Sequence, residues 1–357
     1  MDLLARQERV RRILAERRLE ALLVTHVPNV RYLTGFTGSA GIALVTLEAT
    51  HFITDSRYTL QAHGQVAARL FPAEDSHERA VADLIRRERL RRVGLEAERL
   101  SVARYEFLTR ELGGSVQWVP THGIVEELRM VKDAEEQRAI RQAVELAARV
   151  FSECLAEIRP GVRERDVAAE LEYRLRRAGA ERLAFETIVA SGERAALPHG
   201  VASEKRIGYN EFVVIDFGVV VDGYCSDMTR TVYVGIPDGR AREVYHTVLE
   251  AQLRCETEMR AGMSAREIDA LTRDLITARG YGAFYGHATG HGIGLEVHEA
   301  PRLSRQNDAP VPAGAVVTVE PGIYLPGWGG VRIEDVVIVT ERGSEVLTPT
   351  PKELLVI

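Results

Sequence analysis

Two carboxylates lie where an apolar β-hairpin has no ordinary use for them. Asp216 interrupts the run VVIDFG, and Asp227 lies on the returning segment of the same predicted hairpin, whose turn is signalled by Asp222-Gly223. Removing an unpaired carboxylate from water is costly, so each needs a cation or a proton. The midpoint of the two positions falls close to the turn. That symmetry predicts two carboxylates facing each other, with Cβ atoms about 5 Å apart. They repel unless positive charge sits between them. A second hairpin repeats the pattern. Glu320 follows AVVTV, Glu334 follows VRI, and their midpoint, Gly327, lies inside the turn PGWGG. Four carboxylates converging on one core can hold two divalent cations about 4 Å apart. An oxygen-rich set with one imidazole suits Mn(II), with Co(II) or Zn(II) as alternatives, and does not select soft thiophiles.

The imidazole has several sources. His287, His291 and His298 lie in GHATGHGIGLEVHE, among glycines that allow close backbone approach, and His199 follows a proline in LPHG. Each residue has a plainer reading. Asp216 and Asp227 could form hairpin ion pairs with Arg230, and Glu320 and Glu334 with Arg332. A histidine could be a core residue. Cys225, two residues from Asp227, reads as a bystander thiol, and Asp222 as a turn aspartate before glycine. The same pattern on two hairpins weighs against coincidence. Other catalytic signatures are missing: HEAPR is not H-E-x-x-H, and there is no G-x-S-x-G, no P-loop and no complete G-x-G-x-x-G.

The elements that must position these residues occupy the second half of the chain. A long helix is predicted from Lys132 to about Ile158, stopped by Pro160-Gly161, with a second over 163–178. Two further helical patterns, 240–260 and 264–280, separate the hairpins. Upstream, short strands GIALVT, THFITD and VQWVP alternate with helical segments, RYTLQAHGQVAARL among them, as in an α/β domain.

A chain of 357 residues exceeds what one core usually serves, so two domains are expected. A net charge of −6 argues against nucleic acid as a partner. No stretch approaches the roughly 18 apolar residues that span a bilayer. The N-terminal segment reads as an amphipathic charged helix without a signal-peptide core, so a cytoplasmic location is expected. Its three cysteines, at no metal-like spacing, then read as reduced thiols. Only three of the 46 basic residues are lysine: Lys132, Lys205 and Lys352.

DFGVVVDGYCSDMTRT, GHGIGLEVHE, EPGIY and VRIEDVV resemble, in order and spacing, the motifs of the metallopeptidase family that contains methionine aminopeptidase, prolidase and aminopeptidase P. NVRYLTGFTGSAG and TDSRYTLQA resemble the creatinase-like domain that precedes the catalytic domain in prolidases and aminopeptidases P. The resemblance covers nearly the whole chain. It implies an α+β molecule, with a creatinase-like α/β domain over 1–124 and a pita-bread catalytic domain over 125–357. It implies Asp216, Asp227, His291, Glu320 and Glu334 as ligands of two divalent ions, Asp227 and Glu334 bridging both. His199 and His298 would bind substrate or shuttle protons, Glu320 would pass a proton to the leaving nitrogen, and Arg332 would support the site. The implied reaction removes the N-terminal residue from peptides with proline second, through a hydroxide held between the metals, in a homodimer. Arg302, just after His298, is a candidate clamp for a substrate carboxylate. The N-terminal domain shows no long insertion that would cap the cleft, which favours an Xaa-Pro aminopeptidase acting on tripeptides and longer over a dipeptide-restricted prolidase. The family also holds metal-free hydrolases and peptide-binding domains, from which the intact five-residue set separates this chain.

Overall fold

The computed structural model describes residues 2–357. The chain divides into two compact units, one ending at Arg129 and one beginning at Met130. The expected boundary at 124/125 would cut the helix Ile124–Met130. That helix is tied to the first unit: Arg129 Nη1 donates to Asn29 Oδ1 at 2.8 Å, and Tyr32 Oη donates to the carbonyl of Leu128.

The first unit is a six-stranded mixed sheet with helices. Its strands run in the order Arg69–Pro72, Thr50–Thr54, Ile42–Thr46, Ala21–Val24, Arg92–Glu96 and Gln117–Thr121. Strands Ala21–Val24, Ile42–Thr46 and Thr50–Thr54 are buried along their whole length, and the first two are near-continuous runs of Ala, Leu, Val and Ile. RYTLQAHGQVAARL is not one helix. Helix Thr59–Gln65 ends where Val66 turns extended, and Arg69–Pro72 pairs parallel to His51–Thr54. Sheet pairing at the edge outcompetes helix propagation there.

The second unit opens with helix Ala134–Cys154, which matches the expected span. Asp133 caps it, accepting from the backbone of Glu135 and Glu136, while Glu136 reaches back to the Asp133 N–H. Its face of Ala143, Ala147, Val150, Phe151 and Cys154 packs with helix Glu164–Arg177 against the hairpin Glu211–Phe217 and Met228–Val234. Helices Gly239–Glu258 and Ala265–Ala278 cover the second half. There the five-stranded sheet contains Val316–Val319 beside Asp335–Thr340, and the two-stranded ribbon Gly322–Leu325 with Gly329–Arg332 continues the second hairpin. All three lysines sit in ion pairs within this unit. Lys132 meets Glu299 at 2.6 Å, Lys205 meets Glu211 at 2.7 Å, and Lys352 meets both Glu256 and Asp335. No helix among the described residues is long and apolar enough to cross a membrane.

Candidate active site

The second hairpin has the register its symmetry predicts. Val319 pairs with Asp335 and Gly322 with Arg332, so Glu320 and Glu334 stand opposite each other at the break between the two ladders. The first hairpin departs from expectation. Its register places Asp216 opposite Thr229 and Phe217 opposite Met228, and Asp227 lies outside the ladder. Gly218 marks the spot: a Cβ there would run into the carbonyl of Ser226, so only glycine lets the two segments close up beside Asp227. Asp227 reaches the site from this irregular segment, diagonal to Asp216.

The plainer pairings fail. Arg230 bonds Asp335 at 2.7 Å and the carbonyls of Thr229, Glu334, Thr350 and Pro351, leaving nothing for Asp216 or Asp227. Arg332 does not pair with its hairpin mates. Its Nη2 donates to Asp216 Oδ2 at 2.5 Å, its Nε to Thr229 Oγ1, and its Nη1 to Tyr324 Oη and the Pro198 carbonyl. Thr229 Oγ1 in turn donates to Glu334 Oε2 at 2.7 Å. One buried guanidinium thus ties together both hairpins and the loop before His199.

His291 sits on the short strand Gly290–Gly292, in the sheet beside Val316–Val319. A Cβ at Gly290 would strike the carbonyl of Thr318, so that close approach requires glycine. His291 Nδ1 donates to the carbonyl of Gly292 at 3.0 Å, which leaves Nε2 unprotonated. That nitrogen lies 3.4 Å from Glu320 Oε1 and 3.6 Å from Asp227 Oδ2. His298 packs edge-on to it, with ring centroids 4.3 Å apart. Arg302 is the cross-strand partner of His291.

These groups line one cavity of about 790 Å³, together with His199, Glu299, Phe185, Ile188, Pro198 and Val201. His287 also lines it, and was a histidine of the motif with no role assigned. Its Nδ1 donates to the Ala288 carbonyl, so its Nε2 accepts from Tyr324 Oη at 2.8 Å. Burial, with Arg332 nearby, pushes its pKa down to about 4. Tyr324 gave no sequence signal beyond its place in EPGIY, because its partners come from distant segments.

The electrostatics call for cations. Burial, then the charge of Glu334 and Asp216, holds Asp227 well above the usual carboxylate range. Burial, then Glu320 and Asp216, does the same to Glu334. Glu320 is pushed up to about 8, chiefly by burial, with Arg332 opposing and Asp216 adding to the rise. Burial, and then His298, lowers His291 to about 4, which keeps it neutral as a ligand must be. One ligand atom each from Asp227, His291 and Glu334 lie within 4.8 Å of one another. Asp216 Oδ1 is buried without a hydrogen-bond partner. Crowded carboxylates, an orphaned carboxylate oxygen and a neutral imidazole with a free lone pair are a donor set that fits divalent cations.

Comparison with known proteins agrees with this arrangement. Residues 138–341 match the family described as metallopeptidase family M24, and residues 6–131 match the creatinase/prolidase N-terminal domain. The chain is 44% identical to a Bacillus anthracis structure named Xaa-Pro dipeptidase, with a TM-score of 0.97 over all of both chains. It is 40% identical to the Thermotoga maritima X-Pro aminopeptidase structure, with a TM-score of 0.90 over 98% of this chain and 99% of that one. It is 37% identical to the Pyrococcus horikoshii Xaa-Pro dipeptidase, over 99% of this chain and 100% of that protein. The α+β architecture, two carboxylate-bearing hairpins around one imidazole and matches across nearly the whole length place the chain in metallopeptidase family M24, as a metallo-exopeptidase with a creatinase/prolidase-type N-terminal domain.

Proposed function

We propose that the chain is an Xaa-Pro dipeptidase, which replaces the open-ended aminopeptidase that the sequence favoured. The observation that carries this is Arg302: a residue of the cavity wall, across the strand pair from His291 and four residues after His298, where its guanidinium would meet a dipeptide's C-terminal carboxylate. The dipeptidase names of the Bacillus and Pyrococcus relatives weigh the same way. The Thermotoga relative's name keeps the longer-substrate reading as the second one.

Asp216, Asp227, His291, Glu320 and Glu334 would hold two divalent ions, Mn(II) by their chemistry, which supply Lewis acidity and an activated water when bound. The protein's own groups do the rest. His291 offers Nε2 because the Gly292 carbonyl fixes its other nitrogen as the donor. Arg332 holds Asp216 and, through Thr229, Glu334, so that ligands from both hairpins keep one geometry. His298 and His199 stand on the cavity wall, and either can donate an N–H hydrogen bond to the scissile carbonyl oxygen as charge develops there. The leaving nitrogen of an Xaa-Pro bond has no N–H and must gain a proton to leave; Glu320 is the carboxylate placed to deliver it. Phe185, Ile188 and Val201 give the ring an apolar wall.

The test compares kcat/KM for Ala-Pro with Ala-Pro-Ala. A dipeptide preference of 100-fold or more is expected, about 2.7 kcal/mol of transition-state discrimination. It should collapse in Arg302→Ala. Equal rates on both substrates would return the aminopeptidase reading.

A further inference from the structure

The segment that carries His199 leaves the sheet at Ser191, the last residue of strand Ile188–Ser191, meets it again at Val201, which bridges to Ile188, and runs on to Ser203. In between lie the single turn Gly192–Ala196 and the cavity-lining residues Pro198, His199 and Val201. Both ends of this loop are held by one carboxylate. Glu164, the first residue of helix Glu164–Arg177, has a side chain with 0% exposure. Its Oε1 accepts from the Ser191 backbone N at 2.8 Å and from Ser191 Oγ at 2.9 Å. Its Oε2 accepts from Ser203 N at 3.1 Å, Ser203 Oγ at 2.6 Å and Arg194 Nε at 3.0 Å. Five donors hold this buried carboxylate in one place.

The loop's crown has ties of its own: Val201 bridges back to Ile188, Leu197 N donates to the Arg194 carbonyl and Gly200 N to the Leu197 carbonyl. Arg194, itself held by Glu164, donates through Nη2 to the Val201 carbonyl at 2.6 Å, and Arg332 donates to the Pro198 carbonyl at 3.1 Å. Val201 N donates to the His199 carbonyl. Among the described residues, the His199 imidazole makes no hydrogen bond. A ring without an orienting partner of its own is placed by its backbone, and that backbone is held at the loop's two ends by Glu164, at Pro198 by Arg332 and at Val201 by the bridge to Ile188. His291, by contrast, has its own orienting carbonyl at Gly292.

We propose that Glu164 is a positioning residue for the reaction, a latch that sets where His199 meets substrate. The proposal rests on the reading of His199 as a substrate-contacting group. A carboxylate present only for stability would matter equally whether or not the loop carried a working histidine. The latch makes a different demand: its effect must pass through His199.

The experiment is a double-mutant cycle on the metal-loaded full-length chain with Ala-Pro as substrate, using Glu164→Gln, His199→Ala and the pair. Metal content is checked by elemental analysis, and thermal stability is measured in parallel. Glu164→Gln should keep both metals and lower kcat/KM about 30-fold, as expected for an ångström-scale misplacement of a catalytic group. In the His199→Ala background the same change should cost less than about threefold, while its effect on Tm stays as large as in the parent. Ser203→Ala, which removes one donor and leaves the carboxylate in place, should give a smaller loss, about fivefold, that likewise vanishes without His199; it serves if Glu164→Gln does not fold. Equal losses of kcat/KM in the two backgrounds would overturn the latch and leave the His199 reading standing. Wild-type turnover in His199→Ala would overturn the His199 reading, and the latch with it.

Discussion

The two hairpins hold the same kind of residue in different ways. In the second, Glu320 and Glu334 face each other at a symmetric break between two ladders. In the first, the ladder runs in register past Asp216, and Asp227 is delivered from an irregular segment beside Gly218. Their counter-charges differ too. Asp216 has a guanidinium at 2.5 Å. Glu334 accepts only from the hydroxyl of Thr229 and Glu320 only from that of Thr318, with Arg332 acting on both at longer range, so these two depend more on what else enters the cavity. The lesson is that one site can be half pre-neutralised by the protein and half dependent on bound cations.

The largest expected effect comes from the residue with least alternative support. Asp227→Ala should lower kcat/KM at least about 1,000-fold, near 4 kcal/mol, and lower metal content. Asp216→Glu should cost far less, because Arg332 still holds the longer side chain. Near-normal metal content and turnover in Asp227→Ala would break the comparison at its centre.

Next is the counter-charge itself. Arg332→Met leaves Asp216 buried without its partner, and in the chelated protein this should cost about 3–5 kcal/mol of stability. Added Mn(II) should recover much of that, since a cation then serves Asp216. Tm measured with and without chelator reads this directly, and an equal loss in both conditions would show that Arg332 and the metals do not share Asp216.

The smallest effect is in pH. In the metal-free chain Glu320, Glu334 and Asp227 hold protons more tightly than in the unfolded chain. Folding is then favoured most below the ordinary carboxylate range, and that contribution is lost as pH rises through the folded value, about 8 for Glu320. Chelated protein should therefore lose thermal stability between about pH 5 and pH 8.5 more steeply than metal-loaded protein. Parallel Tm-against-pH curves for the two forms would contradict it.

How far the sequence reached follows the same division. Glu320 and Glu334 were legible as a facing pair because a turn centred on Gly327 is flanked by equal arms. The first hairpin's turn at Asp222-Gly223 is where it was expected, with Val221 paired to Tyr224, yet the pairing puts Thr229 opposite Asp216. A midpoint one residue off the turn centre moves the partner by two positions, and the irregular segment around Asp227 has no hydropathy signature. Helices Ala134–Cys154, Glu164–Arg177 and Ala265–Ala278 followed from helical patterning, the first with its Pro160-Gly161 stop. The partners of Arg332 did not, because Thr229, Tyr324, Pro198 and Asp216 meet only in three dimensions. Glu164 was invisible for the same reason: a glutamate opening a helix looks like a dipole-compensating surface residue until its five donors are seen.

The three lysines have a bearing on the handling of this protein. Lys132 has 1% of its side chain exposed, and Lys205 and Lys352 are engaged by carboxylates. Amine-directed reagents, whether acylating labels, aldehyde fixatives or surface-coupling esters, thus meet few free lysine nucleophiles on a molecule that is otherwise rich in positive charge. Guanidinium groups keep that charge well past the pH at which amines lose theirs. Coupling chemistry aimed at arginine or carboxylate is the workable route to immobilising it, and the carboxylate route must spare the cavity.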